Sequence, residues 1–306
     1  MVISPVYFPH SAIWSQGRAG EAFFKQAFFF QRGTWALVAA LMAIAKKRGK
    51  HSVRVFFPDY FCREPLDILQ LFPIEVGHYA LQKNLEPEWE SIERLCAQGG
   101  PPDALVLVHY FGFPNNTQRA QEWCAIYGSE LIEDCAHVMS PYQEIGSTGS
   151  YATFSPWKFF PLPVLGVLCA REEVRRFVET FPPHGDAPLV MQWFVKRWIQ
   201  RILCAMGFNW YRSTLHSGQL YGESLGTEFI KMSRREWTLI DASAGTFSLS
   251  LFTASERQTG FIRRRRIENY KLLEAFFKRF HPEMPLFRVL PDGVAPYAFP
   301  VITKNP

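Results

Sequence analysis

One short segment, Ala104–Val108, restricts the possible folds most strongly. Its five residues, ALVLV, are all apolar, so a strand there must be covered on both faces. Parallel sheets with helices on both sides provide that environment, and their strands are typically continuous apolar runs. Val53–Phe57 is rich in β-branched and aromatic residues and predicts another buried strand, and strand-like and helix-like patterns alternate as far as Asp134. This alternation predicts an α/β domain with a mainly parallel sheet.

Hydrophobic periodicity predicts further elements within this alternation. They are helices at Leu66–Leu71, Glu86–Leu95 and Thr117–Tyr127, and strands at Ile74–Tyr79 and Gly166–Ala170. In open sheets of this kind, ligands bind beyond the carboxyl ends of the strands. Three residues are expected at those ends, namely Pro58, His109 and Asp134.

The stretch Leu131–Arg171 carries the chemistry. An apolar strand there ends at the carboxylate of Asp134, His137 follows, and Lys158 lies between two apolar strands. Pyridoxal 5'-phosphate (PLP) needs a fixed carboxylate, because its pyridine nitrogen must stay protonated for the ring to accept electrons. It also needs an amine for a Schiff base, and a partly desolvated lysine with a lowered pKa is best suited. The ordered pair predicts a PLP site.

The motifs in this stretch resemble those of the DegT/DnrJ/StrS sugar aminotransferases, which are fold-type-I PLP enzymes. The chain reads EDCAH at Glu133–His137, where the family has EDAAH or EDAAQ, and FSPWK at 154–158. The resemblance implies that Asp134 lies under the pyridine nitrogen and that His137 lies near the ring oxygen. It implies further that Ser155 contacts the phosphate and that Lys158 forms the Schiff base.

Two departures from the family pattern concern the loop around the lysine. The spacing from Ser155 to Lys158 is shorter than in the best-known members. The run after the lysine is usually rich in glycine, whereas here it reads PLPVLG. We expect both differences to affect the geometry of the substrate loop more than cofactor attachment.

Two earlier motifs complete the predicted cofactor site. Gly33 and Thr34 precede an apolar helical pattern, and a helix N-terminus offers free N–H groups to a phosphate. Helix capping alone would also explain the pair, but a GTxAL-type element occurs at this point in the family. The family's next turn supplies an aromatic residue that stacks on the pyridine ring. Strict counting puts Cys62 at that position, so Tyr60 or Phe61 is the predicted stacking residue; simple packing of both rings is the alternative.

His109 is a tempting acid–base group, because it begins a HYFGFP segment that resembles a family turn. A histidine at a strand end is more often structural. We therefore leave His109 out of the predicted site.

The domain organisation beyond the cofactor motifs is predicted from coarser patterns. Residues 1–235 are expected to form the PLP-binding large domain, with 172–235 as a helical covering segment. Residues 236–306 are expected to form a helical linker and a partial small C-terminal domain. Two helices are predicted here, Ser233–Phe252 and Ser255–Phe280; the second contains an arginine run, Arg263–Arg266, that spreads over all helix faces. The last residues resemble the first strand of the family's small domain, which suggests a truncated domain, a fragment or a shortened relative.

The helical pattern at Leu189–Met206 is basic and aromatic. A helix that covers the large domain or a dimer surface is the preferred interpretation. A helix that lies on a membrane is the alternative.

Composition limits the class of protein. A hydrophobic fraction of 48% with 28 phenylalanines in 306 residues excludes a disordered chain. The net charge of +5 fits a solvated surface or anionic substrates better than nucleic acid. No signal peptide and no membrane span is recognisable. The six cysteines, at 62, 96, 124, 135, 169 and 204, show no spacing typical of a metal site. They predict a reducing, cytoplasmic environment.

The function implied by the resemblance is that of a PLP-dependent aminotransferase. The amino donor would be an amino acid such as glutamate, and the acceptor a keto-sugar nucleotide in the biosynthesis of surface polysaccharide or another glycan. Members of the family are usually homodimers. The alternative is a catalytically silent relative that binds PLP or a nucleotide sugar as a sensor or assembly partner.

Overall fold

A computed structural model of the chain describes residues 24, 27–179, 188–206 and 243–303. Seven strands form one sheet, and their spatial order is β1-β7-β6-β5-β4-β2-β3. The strands are β1 (Phe28–Phe30), β2 (Val53–Pro58), β3 (Ile74–Tyr79), β4 (Ala104–Val108), β5 (Glu130–Cys135), β6 (Tyr151–Phe154) and β7 (Gly166–Ala170).

The sheet is mainly parallel. The strands β2, β3, β4, β5 and β6 pair in parallel with one another, whereas β7 pairs antiparallel with both β6 and β1. The prediction of an α/β fold with a mainly parallel mixed sheet is confirmed. The strands at Ile74–Tyr79, Ala104–Val108 and Gly166–Ala170 have the predicted bounds.

Helices cover the sheet and follow it in the chain. The described helices are α1 (Gly33–Arg48), α2 (Arg63–Leu69), α3 (Trp89–Gly99), α4 (Thr117–Tyr127), α5 (Glu172–Arg175), α6 (Pro188–Ala205), α7 (Thr246–Glu256) and α8 (Thr259–Phe280). Short 3-10 turns occur at Tyr110–Gly112 and Pro156–Lys158. None of the helices in these described ranges is long and apolar enough to cross a membrane.

Helix α3 begins three residues later than its sequence pattern predicts. The reason is that the preceding segment is used differently: Leu81 and Pro87 form an isolated antiparallel bridge, and Leu85 turns the chain with φ of 65°. Its amide donates to the carbonyl of Gln82. The apolar residues before Trp89 therefore close a turn and do not extend the helix.

Alternating side chains of the central strands enter two cores on opposite faces of the sheet. On one face Val55, Val106 and Ile132 pack under the almost fully buried α1. On the other face, Phe56, Leu105, Leu107 and Leu131 pack against residues of α3 and α4. Strand β4 is buried at all five positions, as its composition predicts. These covered faces leave the strand ends as the place where polar groups gather.

Helix α7 packs onto a third core cluster together with parts of the sheet. Phe252 lies in that cluster with Phe154 and Leu165, and Ser243 forms a bridge with Phe30. The predicted division at residues 235 and 236 lies outside the described residues and stays a prediction. The predicted helix Ser233–Phe252 is described only from Ser243 onward, and there the helix begins at Thr246 and ends at Glu256.

Candidate active site

Strand β5 carries Asp134 to the carboxyl edge of the sheet. The parallel register pairs Val108 with Asp134, so the carboxyl ends of strands β4 and β5 lie side by side. The amide of Ala136 donates to Asp134 Oδ1 at 2.8 Å. Among the described residues no hydrogen bond reaches Oδ2, so one oxygen is available to a ligand. Burial raises the pKa of this carboxyl group, while the Ala136 amide and the Lys158 ammonium act in the opposite direction.

Lys158 occupies the 3-10 turn between β6 and β7, as predicted. Its amide donates to the carbonyl of Ser155 at 3.0 Å, which closes the turn. The side chain is half-buried. Burial lowers the pKa of the Lys158 amine, and the negative charge of Asp134 opposes that shift. A desolvated amine beside a carboxylate is suited to nucleophilic attack on an aldehyde.

His137 is held as a neutral imidazole of one tautomer. Its Nδ1 accepts a hydrogen bond from the amide of Phe111 at 3.2 Å. Burial and the charge of Lys158 lower the pKa of His137 to about 3. The single ring proton therefore lies on Nε2, which makes that nitrogen a donor. A donor at this position suits a ligand oxygen, and the contact of His137 with the cofactor ring stays a prediction.

The predicted phosphate seat is brought together by the fold. Gly33 is the first residue of α1, and a Cβ atom added there would lie 2.5 Å from Ser155 Oγ. Thr34 and Ser155 are both buried. The first N–H groups of a 16-residue helix and a serine hydroxyl thus lie close together. Such a group of donors suits a phosphate, because the helix end is also positive.

The single glycine of the PLPVLG run, Gly166, has a clear structural reason. A Cβ atom at Gly166 would come within 2.1 Å of the carbonyl of Arg32 and 2.4 Å of the Gly33 nitrogen. Only glycine lets β7 approach the beginning of α1 so closely. The run that departs from the family pattern therefore keeps the one glycine that the phosphate seat requires.

The two predicted stacking residues have different surroundings. Phe61 packs against the α1 core, with its ring 4.8 Å from that of Phe57. Tyr60 is 60% exposed, and its ring stacks on Tyr110 at 5.7 Å. Cys62 is exposed at the start of α2. Tyr60 is therefore better placed to meet a ligand, but stacking on the cofactor stays a prediction for both residues.

His109 serves the structure. Its Nδ1 accepts from the amide of Asn115 at 3.1 Å, so its Nε2 donates to Glu133 Oε2 at 2.9 Å. Glu133 is fully buried and also accepts from the amides of Gly146, Thr148 and Gly149. Cys135 lies near enough to complete a metal-like group. Both ring nitrogens of His109 and both carboxylate oxygens of Glu133 already make hydrogen bonds, so we assign no metal to this group.

Arg266 of α8 is a site residue that sequence reasoning missed. Its Nη2 donates to the carbonyl of Lys158 at 3.1 Å, and its Nη1 to the carbonyl of Tyr297 at 3.1 Å. The guanidinium lies 4.7 Å from the ring centre of Phe159. The side chain thus fixes the lysine turn from the C-terminal part of the chain. The sequence shows Arg266 only as one of four consecutive arginines, with no sign that it differs from the others.

Tyr297 was missed as well. Its ring lies parallel to that of His137, at 4.6 Å and 4°, and 5.6 Å from Lys158 Nζ. Its amide donates to the carbonyl of Phe111 at 2.8 Å. This contact requires a close approach at Gly112, which has φ of 89° and where a Cβ would meet the carbonyls of His137 and Ala295. Tyr297 therefore forms one wall beside the lysine.

The α/β fold with its mainly parallel sheet matches the fold of fold-type-I aminotransferases. Residues 25–167 match the model of the DegT/DnrJ/EryC1/StrS aminotransferase family. This match confirms, over those residues, the resemblance to the family that was inferred from the motifs. The matched range contains all the predicted cofactor residues, whereas Arg266 and Tyr297 lie outside it. No curated protein matches the sequence significantly.

Solved structures with the same fold come from several enzymes. PseC of Helicobacter pylori, an aminotransferase of pseudoaminic acid biosynthesis, has a TM-score of 0.63 at 15% identity, over 94% of this chain and 68% of its own. The dehydratase ColD, solved as a mutant with GDP-perosamine, has a TM-score of 0.59 at 16% identity, and the match covers 94% of this chain and 70% of ColD. NtdA of Bacillus subtilis, solved with the cofactor PMP, has a TM-score of 0.59 at 13% identity, and the match covers 90% of this chain and 54% of NtdA. The chain thus spans between about half and 70% of these structures.

Proposed function

We propose that this protein is a PLP-dependent aminotransferase. The observation that carries the proposal is the meeting of Asp134, His137 and Lys158 beside the phosphate seat of Gly33 and Ser155. The residues present fit the cofactor: a carboxylate with one oxygen that no described residue binds, for a pyridinium; a neutral donor for the ring oxygen; and donors for a phosphate. Bound there, PLP supplies an aldehyde for amines and an electron sink for the negative charge that develops at the substrate carbon.

The chain's own residues have distinct roles in this proposal. Asp134 accepts the pyridine N–H and keeps that proton in place. Lys158 would hold the cofactor through its amine, and the free amine of Lys158 would carry a proton to and from the substrate carbon. His137 orients the ring through Nε2–H. The N-terminus of α1 and Ser155 Oγ hold the phosphate, which fixes the position of the reacting atoms.

The substrate class is proposed from the family and from its structural neighbours. PseC acts in the biosynthesis of pseudoaminic acid, and ColD was solved with GDP-perosamine. We propose an amino acid such as glutamate as donor and a keto-sugar nucleotide as acceptor, in glycan biosynthesis. A homodimer and a cytoplasmic location remain part of the proposal.

Reductive labelling tests the cofactor role of Lys158. The protein with added PLP is reduced with borohydride and digested, and the pyridoxyl-labelled peptide is identified by mass spectrometry. We expect the label on Lys158, visible absorption before reduction, and loss of both in Lys158→Ala. The matched control is Lys83→Ala, which removes an exposed lysine elsewhere. Label on another lysine would refute the assignment.

A glutamate half-reaction separates the two functional alternatives. An aminotransferase converts glutamate to 2-oxoglutarate with an equal amount of aminated cofactor. A protein that takes the label on Lys158 but never releases 2-oxoglutarate from any amino donor would be a silent cofactor-binding relative.

A further inference from the structure

The ring of His137 lies nearly parallel to two aromatic rings. The centre of the Tyr297 ring lies 4.6 Å from that of His137, with 4° between the planes, and the Phe111 ring lies at 5.8 Å and 14°. Stacked rings add to the energy of burial and favour one mutual orientation. The two contacts therefore restrict how the imidazole can turn about its side-chain bonds.

Backbone hydrogen bonds join the same three residues. The amide of Phe111 donates to His137 Nδ1 at 3.2 Å, and the carbonyl of Phe111 accepts from the amide of Tyr297 at 2.8 Å. Phe111 has φ of 57°, which is costly for any residue but glycine. Backbone strain of this kind persists where the surrounding contacts require it. One residue in a costly conformation thus connects Tyr297 with the acceptor nitrogen of His137.

Tyr297 is also connected to the lysine turn. Arg266 donates from Nη1 to the carbonyl of Tyr297 and from Nη2 to the carbonyl of Lys158, both at 3.1 Å. The centre of the Tyr297 ring lies 5.6 Å from Lys158 Nζ. The position of the Tyr297 ring is therefore fixed relative to both Lys158 and His137.

The segment around Tyr297 has other contacts that hold it on the body of the protein. Before Tyr297, the hydroxyl of Tyr142 donates to the carbonyl of Asp292 at 2.8 Å. After it, the ring of Phe299 packs on that of Tyr270 at 4.7 Å. Because these contacts lie on both sides of Tyr297, the segment does not depend on the Tyr297 ring alone for its place.

We propose that Tyr297 is a positioning residue for His137. Its ring, together with its amide acting through Phe111, holds the imidazole in the orientation and tautomer in which Nε2–H serves as the donor to the cofactor ring oxygen. The role at the cofactor rests on the proposed function. The hold on the imidazole, in contrast, is a property of the cofactor-free chain and is measured there.

Nitrogen NMR of the cofactor-free protein tests the proposal without a need for activity. The His137 signals are identified by their loss in His137→Gln. We expect the Nε2–H tautomer alone at neutral pH in the unchanged chain and in Tyr297→Phe, which keeps the ring. Tyr297→Leu removes the ring, so the imidazole can turn and water can reach it. We expect both tautomers there, and a rise in the pKa of His137 by about one unit or more, since burial lowers this pKa.

The matched control is Phe299→Leu, which makes the same kind of change two residues further along. It should leave the His137 signals as they are in the unchanged chain. Circular dichroism checks the fold, and Tyr297→Met takes the place of Tyr297→Leu if that variant unfolds. A single tautomer in the variant without the ring, or an equal change in Phe299→Leu, would overturn the proposal.

The glutamate half-reaction separates the role of Tyr297 from the proposed function. With PLP added, Tyr297→Leu should react about three- to tenfold more slowly while its PLP affinity changes less than about twofold, and Tyr297→Phe should react as the unchanged chain does. A loss of PLP affinity in proportion to the rate would contradict a positioning role. If the unchanged chain converts no glutamate, the proposed function fails, whereas the tautomer measurement still decides whether Tyr297 holds His137.

Discussion

The sheet region and the C-terminal region build the candidate site in different ways. In residues 25–170 the site groups lie where regular elements begin or end: Gly33 at the start of α1, Asp134 at the end of β5, and Lys158 between β6 and β7. In residues 259–303 the contacts come from side chains, chiefly Arg266 and Tyr297. In the first region the backbone fixes the positions of the site residues. In the second region side chains contact those residues and orient them.

This difference suggests a division of labour that can be tested. Changes in the sheet region should affect whether the cofactor binds and reacts at all. Changes in the C-terminal region should affect how well Lys158 and His137 are aligned, and so should alter turnover more than cofactor affinity. The following predictions run from the largest expected effect to the smallest.

Asp134→Asn should have the largest effect. The variant keeps the shape but loses the charge that holds the pyridine proton. Loss of a charge-assisted hydrogen bond corresponds to about 1.5–3 kcal/mol, and the weakened electron sink adds to it. We expect cofactor binding to persist while the glutamate half-reaction slows by several orders of magnitude, measured by stopped-flow absorbance. Unchanged rates would show that another acid serves the ring.

Arg266→Lys should lower turnover by roughly ten- to hundredfold with little change in PLP affinity. Lysine keeps the charge but cannot reach the carbonyls of Lys158 and Tyr297 together, and hydrogen bonds from a charged donor are worth about 1.5–3 kcal/mol. The matched control is Arg265→Lys, because Arg265 is exposed and pairs only with Glu268 among the described residues. A parallel loss of affinity and turnover would place Arg266 in the cofactor seat itself.

Ser155→Ala should weaken PLP affinity about tenfold and leave the absorption spectrum unchanged at saturating cofactor. A neutral hydrogen bond contributes about 0.5–1.5 kcal/mol, so the loss is partial. Ser147→Ala serves as control, because the Ser147 hydroxyl is exposed and donates to the carbonyl of Gln143. Equal affinity in all three proteins, measured by fluorescence titration, would remove Ser155 from the seat.

The effect that is smallest at neutral pH, and appears only as pH falls, concerns His137 in the cofactor-free protein. Its pKa of about 3 in the folded state lies below the ordinary 6.5, so the unfolded state binds more protons between these values. The free energy of unfolding should therefore fall as pH falls from 6.5 towards 3. In His137→Gln this fall should be shallower, as followed by urea denaturation.

The control for the pH experiment is His51→Gln, which removes an exposed histidine from the loop before β2. It should keep the steeper fall. If both variants behave alike, the buried environment of His137 does not couple its protonation to folding.

Much of the sheet region could be predicted because its signals are local. Strand β4 is a continuous apolar run, α4 has its predicted bounds, and the side chain of Asn116 caps it by accepting from the amide of Arg119. Asp134, Ser155 and Lys158 stand out because a motif of a few residues carries each. The predicted start of a helix was wrong where a turn interrupted the periodic pattern, as in the segment before α3.

The C-terminal contribution could not be predicted for a physical reason. Arg266 reaches a carbonyl group 108 positions earlier in the chain, and no local pattern encodes which side of a helix will meet a distant turn. Tyr297 lies in an irregular segment, where neither the helical period of about 3.6 residues nor the strand period of about two applies. The contact of His137 with Tyr297 depends on the positive φ of Phe111 and Gly112, which only the folded chain reveals.

The close approach of Gly33 to Gly166 also has a consequence for the order of folding. The predicted phosphate site needs α1, near the beginning of the sheet region, and β7, the last strand of that region. The site therefore exists only after the sheet has assembled. Contacts of such long sequence separation form late in folding. Because PLP would bind only the assembled sheet, PLP would stabilise that state by mass action. Acquisition of cofactor during refolding would therefore report the final step of sheet assembly.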